Sequence, residues 1–254
     1  MAKRTRGTFV VIDGIDGSGK GTLVRALAGW ARQQRLKVFS VVEYEKKHGR
    51  LPDRADWRGY DVLITAEPTH SLIGRAIRQE LTESNERPYS ARAIAEAFAL
   101  DRYILQQRVV LPALARGMYV FQERSASTSF AYQPLLSAST PLSFVTELDG
   151  NALALQHRPD LLCVLRTDVD EVIRRLARRQ KKDKSMFERK AFLQKAQRRF
   201  LAPWFRQLYQ RRGAQVVVID TGGTVRQSVQ RMRAAWQEFQ ETKRHSRFSA
   251  IREE

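Results

Sequence analysis

Cysteine, histidine and long apolar runs are scarce in this chain of 254 residues. The single cysteine, Cys163, excludes a disulfide within the chain, and its apolar neighbours favour a small core residue. The four histidines are scattered without metal-ligand spacing, so no zinc site is predicted. No apolar run approaches the length of a membrane span. We therefore expect a cytoplasmic protein with no membrane partner.

Acidic residues are also in the minority. Lysine and arginine number 45 against 27 aspartates and glutamates, which gives a formal net charge of +18. Such an excess attracts anions, either nucleotide phosphates or nucleic acid. Much of the excess lies in residues 174–212, and a charged run is usually a solvated face. Aromatic residues do not alternate with it as they do in a single-strand stacking platform, so nucleic acid stays a secondary alternative.

A glycine-rich stretch dominates the N-terminal region. Residues 14–22 follow an apolar run at residues 8–13 and precede apolar residues at helical spacing. Strand, glycine-rich turn and helix are the context of a phosphate-binding loop, or P-loop. Its backbone N–H groups would point at ATP phosphates, and a lysine would add positive charge. The predicted phosphate-binding residues are Gly14, Ile15, Asp16, Gly17, Ser18, Gly19, Lys20, Gly21 and Thr22.

One position of this loop departs from the usual pattern. The residue after the Gly-Lys pair is normally Ser or Thr, whose hydroxyl holds Mg²⁺. Here that residue is Gly21, and Thr22 follows it. We therefore expect Mg²⁺ to arrive with the nucleotide and to be held through water, and we predict no protein ligand to it. The Gly-Lys-Gly-Thr ending resembles the adenylate kinase form of the loop.

Strand and helix patterns alternate along the whole chain. This alternation predicts an α/β protein with three layers, in which a parallel sheet of about five strands carries helices on both faces. The second strand is predicted at residues 37–42. Residues 142–155 and 186–208 are each predicted to form one helix. Residues 1–240 would then be a single domain.

Three segments stand outside this regular alternation. Residues 44–60 are polar and lack a period, so they are expected to be a surface insertion. Residues 175–188 are strongly basic and are predicted to be a lid. Residues 241–254 are expected to be a charged, frayed C-terminal tail.

Further polar residues follow the predicted strands. In open parallel sheets, ligands bind beyond the carboxyl ends of the strands. The loop beginning at Gly14, the Glu67-Pro68 pair and the Glu123-Arg124 pair all lie at such ends. The three signals should converge on one edge of the sheet.

Several motifs occur together in an order that resembles the thymidylate kinase family. They lie at residues 13–20, 65–68, 74–78, 98–102, 111–117, 123–124 and 131–133. The resemblance covers residues 7 to about 239. It implies a nucleoside monophosphate kinase that phosphorylates dTMP to dTDP with ATP and Mg²⁺, in pyrimidine deoxynucleotide biosynthesis. It also implies that residues 1–240 have the three-layer P-loop kinase fold and that the protein is a homodimer.

The resemblance implies a role for each matching residue. Phe98 and Arg102, which share a helix face, would stack on and donate to the thymine base; the alternative is that Phe98 is core and Arg102 a surface ion pair. Arg124 and Arg78 would grip the acceptor phosphate. The full set for dTMP is Glu67, Pro68, Arg78, Phe98, Arg102, Glu123, Arg124, Ser129, Tyr132 and Gln133.

Within that set, Ser129 and Gln133 match positions at the base edge, and Tyr132 matches the aromatic residue against the sugar. Asp16 matches an acidic residue near the acceptor sugar and phosphate. The catalytic residues would be Lys20, Asp16, Arg124 and Arg179, and the lid would act through Arg175, Arg179 and Lys184.

Two alternatives stay open at this point. The Glu123-Arg124-Ser125 triplet resembles the deoxynucleoside kinases, in which case a deoxynucleoside is the acceptor and Glu67 or Glu123 is the base on its 5′-hydroxyl. The other alternative is a degenerate P-loop protein that binds nucleic acid, suggested by the net charge and by Gly21.

Overall fold

A six-stranded parallel sheet forms the middle of the protein. The computed structural model describes residues 6–83, 89–178, 187 and 189–252, with the backbone alone at 246–252. The described strands are ordered β2-β3-β4-β1-β5-β6 across the sheet, and every neighbouring pair is parallel. They are β1 (Thr8–Gly14), β2 (Val38–Ser40), β3 (Val62–Ala66), β4 (Tyr119–Glu123), β5 (Leu161–Arg166) and β6 (Gln215–Asp220).

Helices connect these strands and cover both faces of the sheet. The described helices are α1 (Lys20–Gln33), α2 (Val41–His48), α3 (Leu72–Ala76), α4 (Ala91–Leu105), α5 (Leu111–Ala115), α6 (Ala126–Tyr132), α7 (Leu142–Glu147), α8 (Asp149–Gln156), α9 (Val169–Ala177), α10 (Lys190–Leu201), α11 (Pro203–Gln210) and α12 (Val225–Arg252). A π-helical turn, Ile77–Leu81, extends α3, and another, Gln106–Val110, joins α4 to α5.

Strand β1 is buried on both sides, which explains its uninterrupted apolar sequence. Because side chains alternate along a strand, Val10 and Ile12 face one side and Phe9 and Val11 face the other. The first side packs against α1 and α12 through Leu23, Leu27, Met232 and Trp236. The second packs against the remaining helices through Leu105, Phe200 and Phe205, among others. The predicted three-layer α/β fold is confirmed.

The sheet has six strands rather than the predicted number of about five, and the predicted second strand is its edge strand, β2. The short strand β2 ends at Ser40, before the predicted residue 42, because the Ser40 hydroxyl accepts a hydrogen bond from the Glu43 N–H and caps α2. The expectation of an irregular segment is wrong for residues 44–48, which lie in α2, whereas residues 49–60 contain no helix or strand. Helix α2 buries Glu45, and the segment after it buries Leu51 and Trp57.

Two predicted helices are each divided in two. Residues 142–155 break at Leu148, whose extended backbone (ψ 131) separates α7 from α8. The helix predicted at 186–208 breaks at Ala202, because the following Pro203 disfavours helical backbone in its predecessor and begins α11.

The C-terminal segment is helical rather than frayed up to Arg252, since α12 continues to that residue. Lys243 anchors it by donating from Nζ to Thr8 Oγ1 at 2.9 Å, and it lies 3.8 Å from the Asp160 carboxylate. None of the described helices combines the length and apolar character needed to cross a membrane. The assignment of residues 1–240 to one domain stays a prediction.

Candidate active site

The P-loop leaves β1 at Gly14 and enters α1 at Lys20. Gly17 has a φ of +78°, and a Cβ there would lie 3.0 Å from Val172 Cγ1 and 3.2 Å from Leu176 Cγ. Helix α9 therefore packs directly on the loop, and only glycine fits the position. This contact links the P-loop to the helix that leads into the predicted lid.

Lys20 is buried in the loop that it follows. Its Nζ donates to the carbonyl oxygens of Gly14 at 3.1 Å and Ile15 at 2.7 Å. Burial lowers the pKa of Lys20 to about 8, helped by the Arg124 charge and opposed by nearby carboxylates, Asp16 foremost. The ammonium group thus lies at the predicted phosphate site, hydrogen-bonded to the loop backbone.

Glu123 fills the space that Gly21 leaves beside the loop. A Cβ at Gly21 would lie 2.9 Å from Glu123 Oε2, so a serine or threonine there would collide with this carboxylate. The neighbouring Thr22 hydroxyl accepts a hydrogen bond from Arg25 Nη2 at 3.1 Å. The oxygen next to the P-loop helix is therefore supplied by the end of β4 rather than by a hydroxyl of α1.

Arg124 is held across the mouth of the loop. Its backbone is left-handed, with a φ of 64°, and its N–H donates to Ile12 O at 3.0 Å. Its guanidinium forms an ion pair with Asp16, whose carboxylate also accepts from the Tyr132 hydroxyl at 3.2 Å. Burial alone lowers the pKa of Arg124, but Asp16 and further carboxylates raise it above its ordinary value. The predicted residues Asp16, Arg124 and Tyr132 form one cluster.

Asp13 belongs to the same cluster, although the sequence analysis did not select it. Its buried carboxylate accepts from the Thr128 hydroxyl at 2.7 Å, from the Gly14 N–H at 2.8 Å and from the Ser127 hydroxyl. It lies 4.0 Å from Arg124 Nη1. A carboxylate near the end of an apolar strand is the sequence signal that could have identified Asp13. Its bonds to Ser127 and Thr128 fasten α6 to the P-loop.

Arg102 forms a buried ion pair with Glu67. Its Nε donates to Glu67 Oε2 at 2.7 Å, Gln122 Nε2 donates to the other oxygen at 2.9 Å, and Asn151 accepts from Nη1. Burial raises the pKa of Glu67 to about 7, although the Arg102 guanidinium opposes this. Phe98 is partly exposed and belongs to neither hydrophobic cluster of the described residues. The alternative of a core Phe98 and a surface Arg102 pair is therefore wrong.

Arg78 lies on the π-helical turn after α3. Its Nε donates at 3.1 Å to the carbonyl oxygens of both Pro68 and Thr69, in the loop that follows β3. It is within electrostatic range of Glu123 and Arg124. The register of the sheet explains this proximity, because Ala66 pairs with Glu123, and Glu123 pairs with Ile12. The predicted convergence of three strand ends is confirmed.

Two predicted base-contacting residues carry buried polar atoms. Ser129 Oγ and Gln133 Oε1 have no hydrogen-bond partner among the residues that the structure describes. An unsatisfied buried polar atom costs about 1–3 kcal/mol, so each needs a partner. Ser129 lies in the middle of α6, and Gln133 directly follows Tyr132, the last residue of that helix.

Of the three predicted lid residues, only Arg175 lies among the described residues. Arg175 lies in α9, where its guanidinium bonds Glu171 at 3.1 Å and the Thr221 carbonyl at 2.9 Å. It therefore contacts the loop after β6 rather than the P-loop. Arg179 and Lys184 lie outside the described residues.

Across the described part of the chain, no three His, Cys, Asp or Glu side chains form a group that could hold a metal ion.

Comparison with known proteins decides the family. Residues 49–232 match the family model described as thymidylate kinase. The chain belongs to the thymidylate kinase family. The P-loop precedes the matched range, so its assignment in this family member depends on the geometry described above. The family makes the chain a transferase, a nucleoside monophosphate kinase.

Individual thymidylate kinases agree with this assignment. The chain is 35% identical over 175 residues to the probable thymidylate kinase of Pyrococcus abyssi, covering 67% of this chain and 70% of that protein. It is 31% identical over 191 residues to the thymidylate kinase of a Synechococcus species, covering 74% and 80%. The solved structure of Candida albicans thymidylate kinase matches 94% of both chains with a TM-score of 0.62 at 20% identity, which shows a shared fold.

Proposed function

We propose that this protein transfers the γ-phosphoryl group of ATP to dTMP, giving dTDP and ADP. The observation that supports this most is the Arg124 guanidinium, fixed by Asp16 beside the buried Lys20 of the P-loop. Lys20 would then bind the donor phosphates, and Arg124 would bind the acceptor phosphate. Phosphoryl transfer needs in-line positioning and positive charge more than covalent chemistry.

The acceptor site is proposed around α4 and α6. Arg124 and Arg78 would bind the acceptor phosphate, and the partly exposed Phe98 would stack on the base. Arg102, oriented by Glu67, would donate to a base carbonyl. A bound base would also supply partners for the buried atoms of Ser129 and Gln133, and Tyr132 would lie against the sugar.

The donor site would bind ATP through the backbone of the P-loop. Its phosphates would take over the hydrogen bonds that Lys20 now makes to Gly14 and Ile15. The basic residues after α9, including Arg179 and Lys184, would close over the γ-phosphate and exclude water as a competing acceptor. Helix α9, which precedes these residues, packs on Gly17 of the loop.

Magnesium fits the same corner of the site. Glu123 offers a hard carboxylate oxygen in the space beside Gly21, whereas the Thr22 hydroxyl bonds Arg25. We propose that Glu123 holds the ion in place of the hydroxyl that a serine or threonine would provide. Bound Mg²⁺ would neutralise charge on the β- and γ-phosphates.

The geometry weakens the deoxynucleoside alternative without removing it. A base for a 5′-hydroxyl needs a free carboxylate oxygen, but both oxygens of Glu67 accept hydrogen bonds, from Arg102 and from Gln122. Of the two predicted bases, Glu123 alone remains for that chemistry.

The single buried cysteine supports the proposed cytoplasmic location.

The decisive experiment measures ADP release with Mg-ATP in parallel on dTMP, dUMP, dCMP, thymidine and no acceptor. We expect turnover on dTMP well above the others. Arg124→Lys should lower kcat/KM for dTMP by roughly 100-fold, because the bidentate contact is lost. The exposed Arg32→Lys is the matched control and should retain wild-type rates.

Turnover on thymidine in preference to dTMP would instead assign the protein as a deoxynucleoside kinase. If no acceptor is used, a salt titration of nucleic-acid binding tests the alternative based on charge, which predicts a steep loss of affinity with salt.

A further inference from the structure

The edge of the sheet next to the acceptor site is built by residues 38–60, here called the edge segment. It comprises β2, α2 and the loop that leads to β3. Two contacts fix it to the rest of the fold: Arg108 Nη2 donates to Asp53 Oδ1 at 2.7 Å, and the Arg116 guanidinium lies 5.1 Å from the ring centre of the buried Trp57. The segment is thus an ordered part of the scaffold.

Val41 and Glu45 are the buried residues of α2, and Glu45 is the charged one of the two. Its side chain is buried, with only 1% of the residue exposed. Oε1 accepts from the Ser71 hydroxyl at 3.0 Å, and Oε2 accepts from the His70 N–H at 3.3 Å. The charged groups that face it from other elements are Asp101 of α4 and Arg78 of the turn after α3. Burial raises the pKa of Glu45 to about 7, so the carboxylate is retained at a cost in folding stability.

The loop that receives these bonds, residues 67–71, is here called the acceptor loop. A second carboxylate holds it from the opposite side, because Asp101 accepts from the Thr69 N–H at 2.8 Å and from the Thr69 hydroxyl at 2.6 Å. The carbonyl oxygens of Pro68 and Thr69 in turn accept from Arg78 Nε. Glu45 and Asp101 therefore clamp the backbone that orients the Arg78 guanidinium.

We propose that Glu45 is a positioning residue for the acceptor phosphate. It acts through Ser71 and His70 on the acceptor loop, and through that loop on Arg78. The edge segment then contributes to acceptor binding although its side chains do not touch the substrate. This inference rests on the proposed function, because it assigns Arg78 to the phosphate of a nucleoside monophosphate.

Glu45→Gln tests this role because it keeps the shape of the side chain. An amide cannot accept from both Ser71 and His70 through two oxygens, so the acceptor loop should loosen. We expect KM for dTMP to rise about tenfold with kcat changed less than about threefold and KM for ATP unchanged, as for a lost charge-assisted hydrogen bond. Glu43→Gln, on the exposed side of the same helix, is the matched control.

A second measurement needs no substrate. Hydrogen exchange of the Thr69, His70 and Ser71 amides should speed up in Glu45→Gln relative to wild type, whereas exchange in the P-loop should not change. Ser71→Ala should produce the same exchange pattern, and combining it with Glu45→Gln should add little, because the two changes break one contact. Ser71→Ala also keeps the inference testable if Glu45→Gln does not fold.

The two proposals fail in different ways. A wild-type protein that does not phosphorylate dTMP overturns the proposed function, and the exchange data then judge the positioning of the loop alone. A wild type that is active on dTMP, with an unchanged KM for dTMP in both variants, overturns the role of Glu45. Unchanged exchange in both variants overturns it as well.

Discussion

At the scale of single residues, Gly21 and Glu123 compete for one space. Glu123 Oε2 lies 2.9 Å from where a Cβ of residue 21 would be. A serine at position 21, the usual residue of this loop, must therefore displace the carboxylate. The departure from the P-loop pattern is explained by a residue that lies about a hundred positions further along the chain.

We predict that Gly21→Ser lowers kcat by roughly 10- to 100-fold, because the displaced Glu123 carboxylate would no longer hold Mg²⁺ beside the β- and γ-phosphates. Shortening the competing side chain with Glu123→Asp should recover part of this loss in the double variant. Steady-state kinetics over a range of Mg²⁺ concentrations make the measurement. Gly29→Ser is the control, since nothing lies within 4 Å of a Cβ there. A double variant no better than Gly21→Ser would contradict the shared space.

At the scale of elements, α12 reaches the end of β1 that is opposite the P-loop. Lys243 bonds Thr8, the first residue of β1, whereas the P-loop begins at Gly14, the last. The contact is remote from the proposed chemistry and should affect stability alone.

Lys243→Ala should therefore cost about 1 kcal/mol of unfolding free energy, which corresponds to a Tm about 2–4 °C lower in a protein of this size. Calorimetry or a thermal melt followed by circular dichroism measures the shift, and kcat/KM should not change. The neighbouring exposed Arg244→Ala should melt like wild type. Equal losses of unfolding free energy in both variants would mean that removing a positive charge, and not the bond from Lys243 to Thr8, causes the effect.

The elements also show how far sequence alone reaches. Strand β1 and the P-loop were predictable because both faces of the strand are apolar and the glycines follow it directly. Helix α2 was missed because it is only eight residues long and turns a charged residue, Glu45, inward. The polarity of this short segment therefore did not indicate that Glu45 is buried, although Lys46 and Lys47 beside it are exposed.

The candidate site likewise contains residues that the sequence predicts and contacts that it does not. Lys20, Asp16 and Arg124 were predictable because strand ends of a parallel sheet converge. The bonds of Glu45 to the acceptor loop, and of Arg175 to the loop after β6, join segments that are far apart in sequence. No local pattern encodes them.

At the scale of the whole molecule, α4 exposes two large apolar side chains. Leu100 is 48% exposed and Tyr103 is 38% exposed, and the two lie three residues apart on this helix. A pair of adjacent exposed apolar side chains is a candidate protein contact. We predict a homodimer that uses this part of α4.

Leu100→Glu should shift the protein to a monomer, because a carboxylate would be buried without a partner at the interface. Sedimentation velocity across a range of concentrations detects the change. Leu201→Glu is the control, since Leu201 is 37% exposed near the end of α10. A Leu100→Glu protein with the mass of the wild type would place any interface elsewhere.

The bonds of Lys20 to its own loop have a consequence for the measured affinity for nucleotide. Its pKa is about 8 in this state, so part of the population is uncharged in mildly alkaline solution. Phosphate oxygens favour the charged form and will raise that pKa. Nucleotide binding will therefore take up protons, and affinity will fall as the pH rises through 8. Heats of binding measured at pH 8 will differ between buffers of different ionisation enthalpy. The slope of the binding heat against the buffer ionisation enthalpy will give the number of protons taken up with each nucleotide.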